Sequence, residues 1–121
     1  MGIALLTCTI MLAAIALFSG IGKLRHDPKI VKSIHETCRV PMRHFPLLAA
    51  CEMAGAVGAV AGIWWPAIGV AACAGLAIYF VGAVVAHLRV GDRAGVGPAA
   101  FMLALSVAAP GLRLMVHGAA L

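Results

Sequence analysis

Charge is what this chain has least of. Only 11% of its residues are Asp, Glu, Lys or Arg, and just four are acidic, whereas an ordinary soluble domain devotes roughly a quarter of its residues to charge. So little charge cannot coat a water-facing surface, and a soluble globular domain is excluded. Paired cysteines are missing too: Cys8, Cys38, Cys51 and Cys73 show no CxxC spacing, and apolar stretches hold three of them, where free cysteine acts as a small hydrophobe. No ATP-binding loop, nucleophile elbow or zinc-hydrolase motif occurs, and no soluble segment is present to carry one. The first apolar run lacks the preceding basic residues of a signal peptide and is long enough to span, so it is expected to stay as a helix. Leu6 stands where a myristoylation site needs Ser or Thr, and Leu48 to Cys51, which reads like a lipoprotein cleavage box, lies inside an apolar run.

Apolar sequence fills the chain instead, at 64% hydrophobic residues and a mean hydropathy of +1.08. It falls into four runs, about 2–22, 47–65, 67–86 and 98–118. Each is close to the roughly 20 residues that carry a helix across a bilayer. The expectation is a single transmembrane domain over residues 1–121, an all-α antiparallel four-helix bundle in the cell membrane. Of nine basic residues, Lys23, Arg25, Lys29, Lys32, Arg39 and Arg43 lie between runs one and two, and Arg89 and Arg93 between runs three and four. Only Arg113 falls elsewhere. Positive-inside bias then places both basic loops in the cytoplasm and both termini outside. The net charge of +5 is a topological signal that attracts loops to anionic lipid headgroups; nucleic acid is not an expected partner.

Between the first two runs, Asp27-Pro28 reads as an N-cap followed by proline at the first helical position. Ile30, Val31, Ile34 and Cys38 then share one side and Lys29, Lys32, Ser33, Glu36 and Arg39 the other, which predicts a short amphipathic helix ending near Val40-Pro41 and lying over the bundle end. The runs themselves carry glycine ladders, Gly55, Gly58 and Gly62 in the second and Gly69, Gly75 and Gly82 in the third, the spacing that lets helix backbones approach closely in lipid. That spacing serves packing within one chain first, and is compatible with a homodimer or a larger membrane complex. Trp64 and Trp65 read as interface anchors at the uncharged link. Pro110-Gly111 should kink the last run, with Arg113 reaching the interface.

Glu52 is the principal candidate for function. It is the only acidic residue in any apolar run, and at 1.5 Å per residue it sits roughly 10 Å beneath the basic-loop surface. A carboxylate there must be paired, wetted or protonated, and should face the bundle interior. Lys23 ends the first run and His87 the third, so Glu52, Lys23 and His87 are expected to converge in one polar pocket, with the Tyr79 hydroxyl two turns deeper on the same side of its helix. Arg89 and Asp92 open the short loop that follows. A bis-histidine haem is not expected, since His87 and His117 lie at opposite ends. Nor is a metal: His35, Cys38 and His44 lack a fourth ligand and a repeated motif.

Several of these segments resemble the DoxX-like family of small membrane proteins: the Gly20-Ile21-Gly22-Lys23-Leu24 exit from the first run, Glu52 with the glycine ladder after it, the His87-Leu88-Arg89-Val90-Gly91-Asp92 exit from the third, and the Pro98 entry to the fourth. The resemblance implies an antiparallel four-helix membrane bundle. Family functions are scattered among quinone-coupled oxidation of sulfur compounds, membrane oxidoreductase complexes and a receptor-assembly chaperone. It carries over Lys23, Glu52, His87, Arg89 and Asp92, with no catalytic role assigned to them and no cofactor named.

Three functions follow as expectations. The first is a non-catalytic subunit or accessory protein binding a quinone or lipid-like molecule near Glu52, with Lys23, Tyr79, His87, Arg89 and Asp92 as ligand-binding residues. The second is an isomerase or hydrolase of a lipophilic substrate, with Glu52 as general acid or base and His87 or Tyr79 assisting. The third is a small dimeric proton-coupled exporter built on Glu52.

Overall fold

The apolar runs form four long helices joined by links whose residues stop each one. In the computed structural model, which describes residues 2–117 without the side chains of Ser33 and residues 113–117, α1 spans Ile3–Leu24, α2 Pro28–Ile30, α3 Phe45–Ala61, α4 Pro66–Arg89 and α5 Arg93–His117. The expectations for the Arg113 and His117 side chains lie outside the described residues. No strand occurs among the described residues. Four helical segments, Ile3–Leu24, Met42–Ala61, Pro66–Arg89 and Arg93–Leu112, are long and apolar enough to cross a membrane.

The ends differ from the sequence reading at identifiable residues. The second long helix stops at Ala61, short of Trp65, because the chain turns at Gly62 and α4 starts anew with Pro66 in its first turn. The fourth starts at Arg93, five residues ahead of Pro98. Asp92 is the cause: its Oδ1 accepts a hydrogen bond from the Gly95 amide (3.2 Å) and its carbonyl one from Val96 (3.2 Å), the pattern of an N-cap. In the long loop Asp27 caps α2 as expected, accepting from the Lys29 amide at 3.0 Å. Beyond Ile30 the winding loosens to a π-helix over Val31–Thr37, and the chain reverses at Arg39, whose φ of +61° lies in the left-handed region. The helical stretch therefore ends three residues before Val40, and Cys38 turns inward to be buried.

The long helices form a ring in which α1 touches α3 and α5, and α4 touches the same two. Between α3 and α4, Gly55 meets Leu76, Gly58 meets Ala72 and Gly62 meets Gly69. These pairs run in opposite order along the two helices, which are therefore antiparallel. At Gly62 and Gly69 the backbones touch, and only glycine leaves room for that approach. One end of the ring brings together Leu5, Ala59, Gly69 and Ala109, the other Lys23, Leu48, His87 and Gly95, so direction alternates around it. Leu5, Leu12, Ala16, Ala56, Leu76, Phe80, Met102 and Leu105 fill the interior. The buried Thr9 and Ser106 hydroxyls donate to carbonyls one turn back, Leu5 at 2.9 Å and Met102 at 2.8 Å, which satisfies them inside an apolar bundle. Outward stand Phe18, Val57, Ile78 and Val107, an apolar exterior suited to lipid rather than water.

Candidate functional site

Lys23 ends the buried stripe of α1, and Glu52 sits in the first half of α3 where that helix lies against it. Gly20 makes the approach close: a side chain there would run into Met53 and the Ala49 carbonyl. The Lys23 ammonium donates to Glu52 Oε1, and both side chains are almost fully buried. Two more donors reach the same oxygen, the Tyr79 hydroxyl at 2.9 Å and the Ser19 hydroxyl at 3.3 Å, while Lys23 also donates to Ser19 at 2.9 Å. The ammonium lies 5.9 Å from the Tyr79 ring centroid, a cation–π contact. Glu52 Oε2, by contrast, is buried with no hydrogen-bond partner among the described residues. Buried acceptors are nearly always paired, which sets this oxygen apart.

The cluster borders a cavity of about 480 Å³ at the basic-loop end, within the usual range for small-molecule sites. Ile15, Leu48, Phe80, Ala83, Pro98 and Met102 line it with apolar surface, and the loop closes over it with Ile30, Ile34 and Val40. Ile30, Ile34 and Cys38, spaced four apart along the loop, all face this space. At the opposite end of the bundle a gap of about 10 Å³ beside Pro110 has room for one water at most.

Lys23, Glu52, Tyr79 and His87 all border the cavity, but His87 bonds elsewhere. Its Nδ1 lies 2.8 Å from Asp92 Oδ2 and 3.2 Å from Cys38 Sγ, so it forms a second polar cluster at the mouth rather than joining Glu52. Arg89 is exposed and does not line the cavity. The grouping of Cys38 with His35 and His44 does not form: His35 bonds the Val40 carbonyl at 2.9 Å, and His44 is exposed. Cys38 meets His87 and Asp92 in its place. Sequence reasoning passed over Ser19, whose only signal is its position one turn before Lys23, and the partnership of Cys38 with His87, which no spacing betrays.

Four membrane-capable helices around a lipophilic cavity, with a buried acid–base cluster at its polar end, define a small multi-pass membrane protein. Residues 7–109 match the family model described as the DoxX-like family, and the chain belongs to that family. No curated protein and no solved structure matches it.

Proposed function

We propose that this chain is a binding component of a membrane assembly, holding a quinone- or lipid-like molecule in the cavity beside Glu52. The observation that carries the reading is the pairing of a 480 Å³ apolar space with a carboxylate that uses one oxygen on three donors and leaves the other unpaired. A molecule with an apolar body and a hydroxyl-bearing head matches both halves: a hydroquinone or a hydroxylated lipid, not an oxidised quinone, whose carbonyls only accept. The body fills the space between α4, α5 and the loop, and the head supplies the missing donor. Positive-inside bias puts the cavity mouth at the cytoplasmic leaflet, where Lys29 at the rim and the basic loop face anionic headgroups and a partner protein.

The test is native mass spectrometry of the full chain, released from detergent and titrated with a short-chain hydroquinone and with a lysophospholipid. The wild type is expected to hold one ligand of a single class. Gly82→Phe is expected to lose it, because Gly82 borders the cavity and a Cβ there meets nothing within 4 Å, so the ring fills the space without disturbing the fold. Glu52→Gln is expected to weaken binding as well. Equal binding by Gly82→Phe would place the ligand outside the cavity, and a Glu52→Gln variant that changes thermal stability alone would reduce Glu52 to a packing residue.

A further inference from the structure

The cluster at the cavity mouth has a chemistry of its own, which stands whether or not the cavity holds a lipophilic molecule. We infer that Cys38, His87 and Asp92 form a three-ligand site for a divalent cation of the zinc class. The three come from separate elements: Cys38 from the turn after the π-helix, His87 from the last turn of α4, and Asp92 from the cap of α5. One ligand atom from each, sulfur, nitrogen and oxygen, lies within 4.8 Å of the others. Thiolate, imidazole and carboxylate together are a donor set that zinc accepts, whereas Mg²⁺ and Ca²⁺ prefer oxygen alone.

Proton bookkeeping favours a cation over a simple hydrogen-bonded triad. Cys38 Sγ and Asp92 Oδ2 both approach the same imidazole nitrogen, Nδ1, at 3.2 and 2.8 Å. If Nδ1 carries a proton it serves the carboxylate and has no lone pair for the thiol. If it carries a lone pair it accepts from the thiol and faces the carboxylate with like charge. A nucleophilic Cys-His-Asp relay would instead use the two ring nitrogens separately. Three Lewis bases gathered about one point are served together by a cation between them.

The surroundings hold this arrangement in place. Asp92 Oδ1 is fixed by the Gly95 amide, an outer-sphere contact of the kind that orients metal ligands, and this leaves Oδ2 directed at His87. The left-handed turn at Arg39 directly follows the buried Cys38; such conformations persist where the surrounding structure enforces them. Gly95 leaves the junction open, since a Cβ there would collide with His87 and with Asp92 Oδ2. Burial, and after it the Asp92 charge, raises the Cys38 thiol above its ordinary range against the opposing pull of Arg89. His87 and Cys38 also border the cavity, so the fourth coordination position falls to water or to a donor on a bound molecule.

The experiment uses the full chain in detergent, stripped with chelator and titrated with Co²⁺, whose thiolate complexes absorb in the near ultraviolet and, when tetrahedral, in the visible. The expected result is a charge-transfer band that saturates at a single Co²⁺ per chain and is bleached by Zn²⁺. Cys38→Ser should remove the band. His87→Gln should weaken binding by at least about tenfold, a loss seen even when outer-sphere partners are removed. Cys51→Ser, which alters an exposed cysteine of α3, should leave it unchanged. Asp92 also caps α5, so its own variants mix folding with binding; Gly95→Ala keeps all three ligands and places a methyl group where they meet. A wild-type protein without the band, a band that survives Cys38→Ser, or undiminished binding by Gly95→Ala would overturn the assignment.

Discussion

At the scale of single residues, the Lys23–Glu52 pair concentrates the chemistry and the risk. Removing one member of a buried pair leaves the other charge without compensation, at a cost of about 3–5 kcal/mol, whereas replacing both with apolar residues is often neutral. Lys23→Met should therefore destabilise the protein strongly, and Lys23→Met with Glu52→Leu should recover most of the loss; melting in detergent distinguishes the two. Tyr79→Phe removes one of three donors to Glu52 Oε1 and should cost about 1.5 kcal/mol in the same assay. Cys38 offers a pH test. Its folded-state pKa is raised, so its contribution to stability is full below the ordinary thiol range and is lost as pH rises through that range and beyond. In chelator, alkylation of Cys38 followed by mass spectrometry should require more alkaline pH than that of Cys38 in the denatured chain. Glu52 was legible from the sequence because a charge inside an apolar run has few tolerable surroundings, and Lys23 because it is the first cation at the end of the neighbouring run. Ser19 was not, since a serine in such a run satisfies itself on its own backbone as readily as it meets a partner.

At the scale of elements, glycine spacing decides which helices touch. A side chain at Gly62 would meet the Gly69 backbone, while one at Gly75 meets nothing within 4 Å. Gly62→Val should thus cost about 1–3 kcal/mol or more, as overpacking does, and Gly75→Val should be nearly silent in the same unfolding measurement. Helix starts were legible where a cap and proline coincide, as at Asp27-Pro28. The start of α5 was not, because Pro98 masks the cap six residues ahead of the proline: Asp92 acts through its bond to Gly95, and Pro98 reads more loudly. Nor did apolar periodicity reveal the π-winding after Ile30, since positions 30, 34 and 38 share a side in an α-helix as well.

At the scale of the whole molecule, eight of nine basic residues lie at the end that holds the cavity. A reporter fused at the C-terminus should accordingly show alkaline phosphatase activity and no cytoplasmic fluorescence, and one in the loop near Lys32 the reverse; the opposite pattern would move the cavity to the outer leaflet. The ring order of α1, α3, α4 and α5 brings residues 49 positions apart, Cys38 and His87, to within 3.2 Å.

Hydropathy and charge placement alone determined that this chain forms four membrane-capable helices with its basic loops at one end, because each helix must meet its backbone needs within itself and each span must match the bilayer. Which side chains meet was decided only in three dimensions. The pairing of Cys38 with His87 and Asp92, and the Glu52 oxygen left without a partner among the described residues, depend on how a loop turns and how closely two backbones approach, and neither is written in the order of the residues.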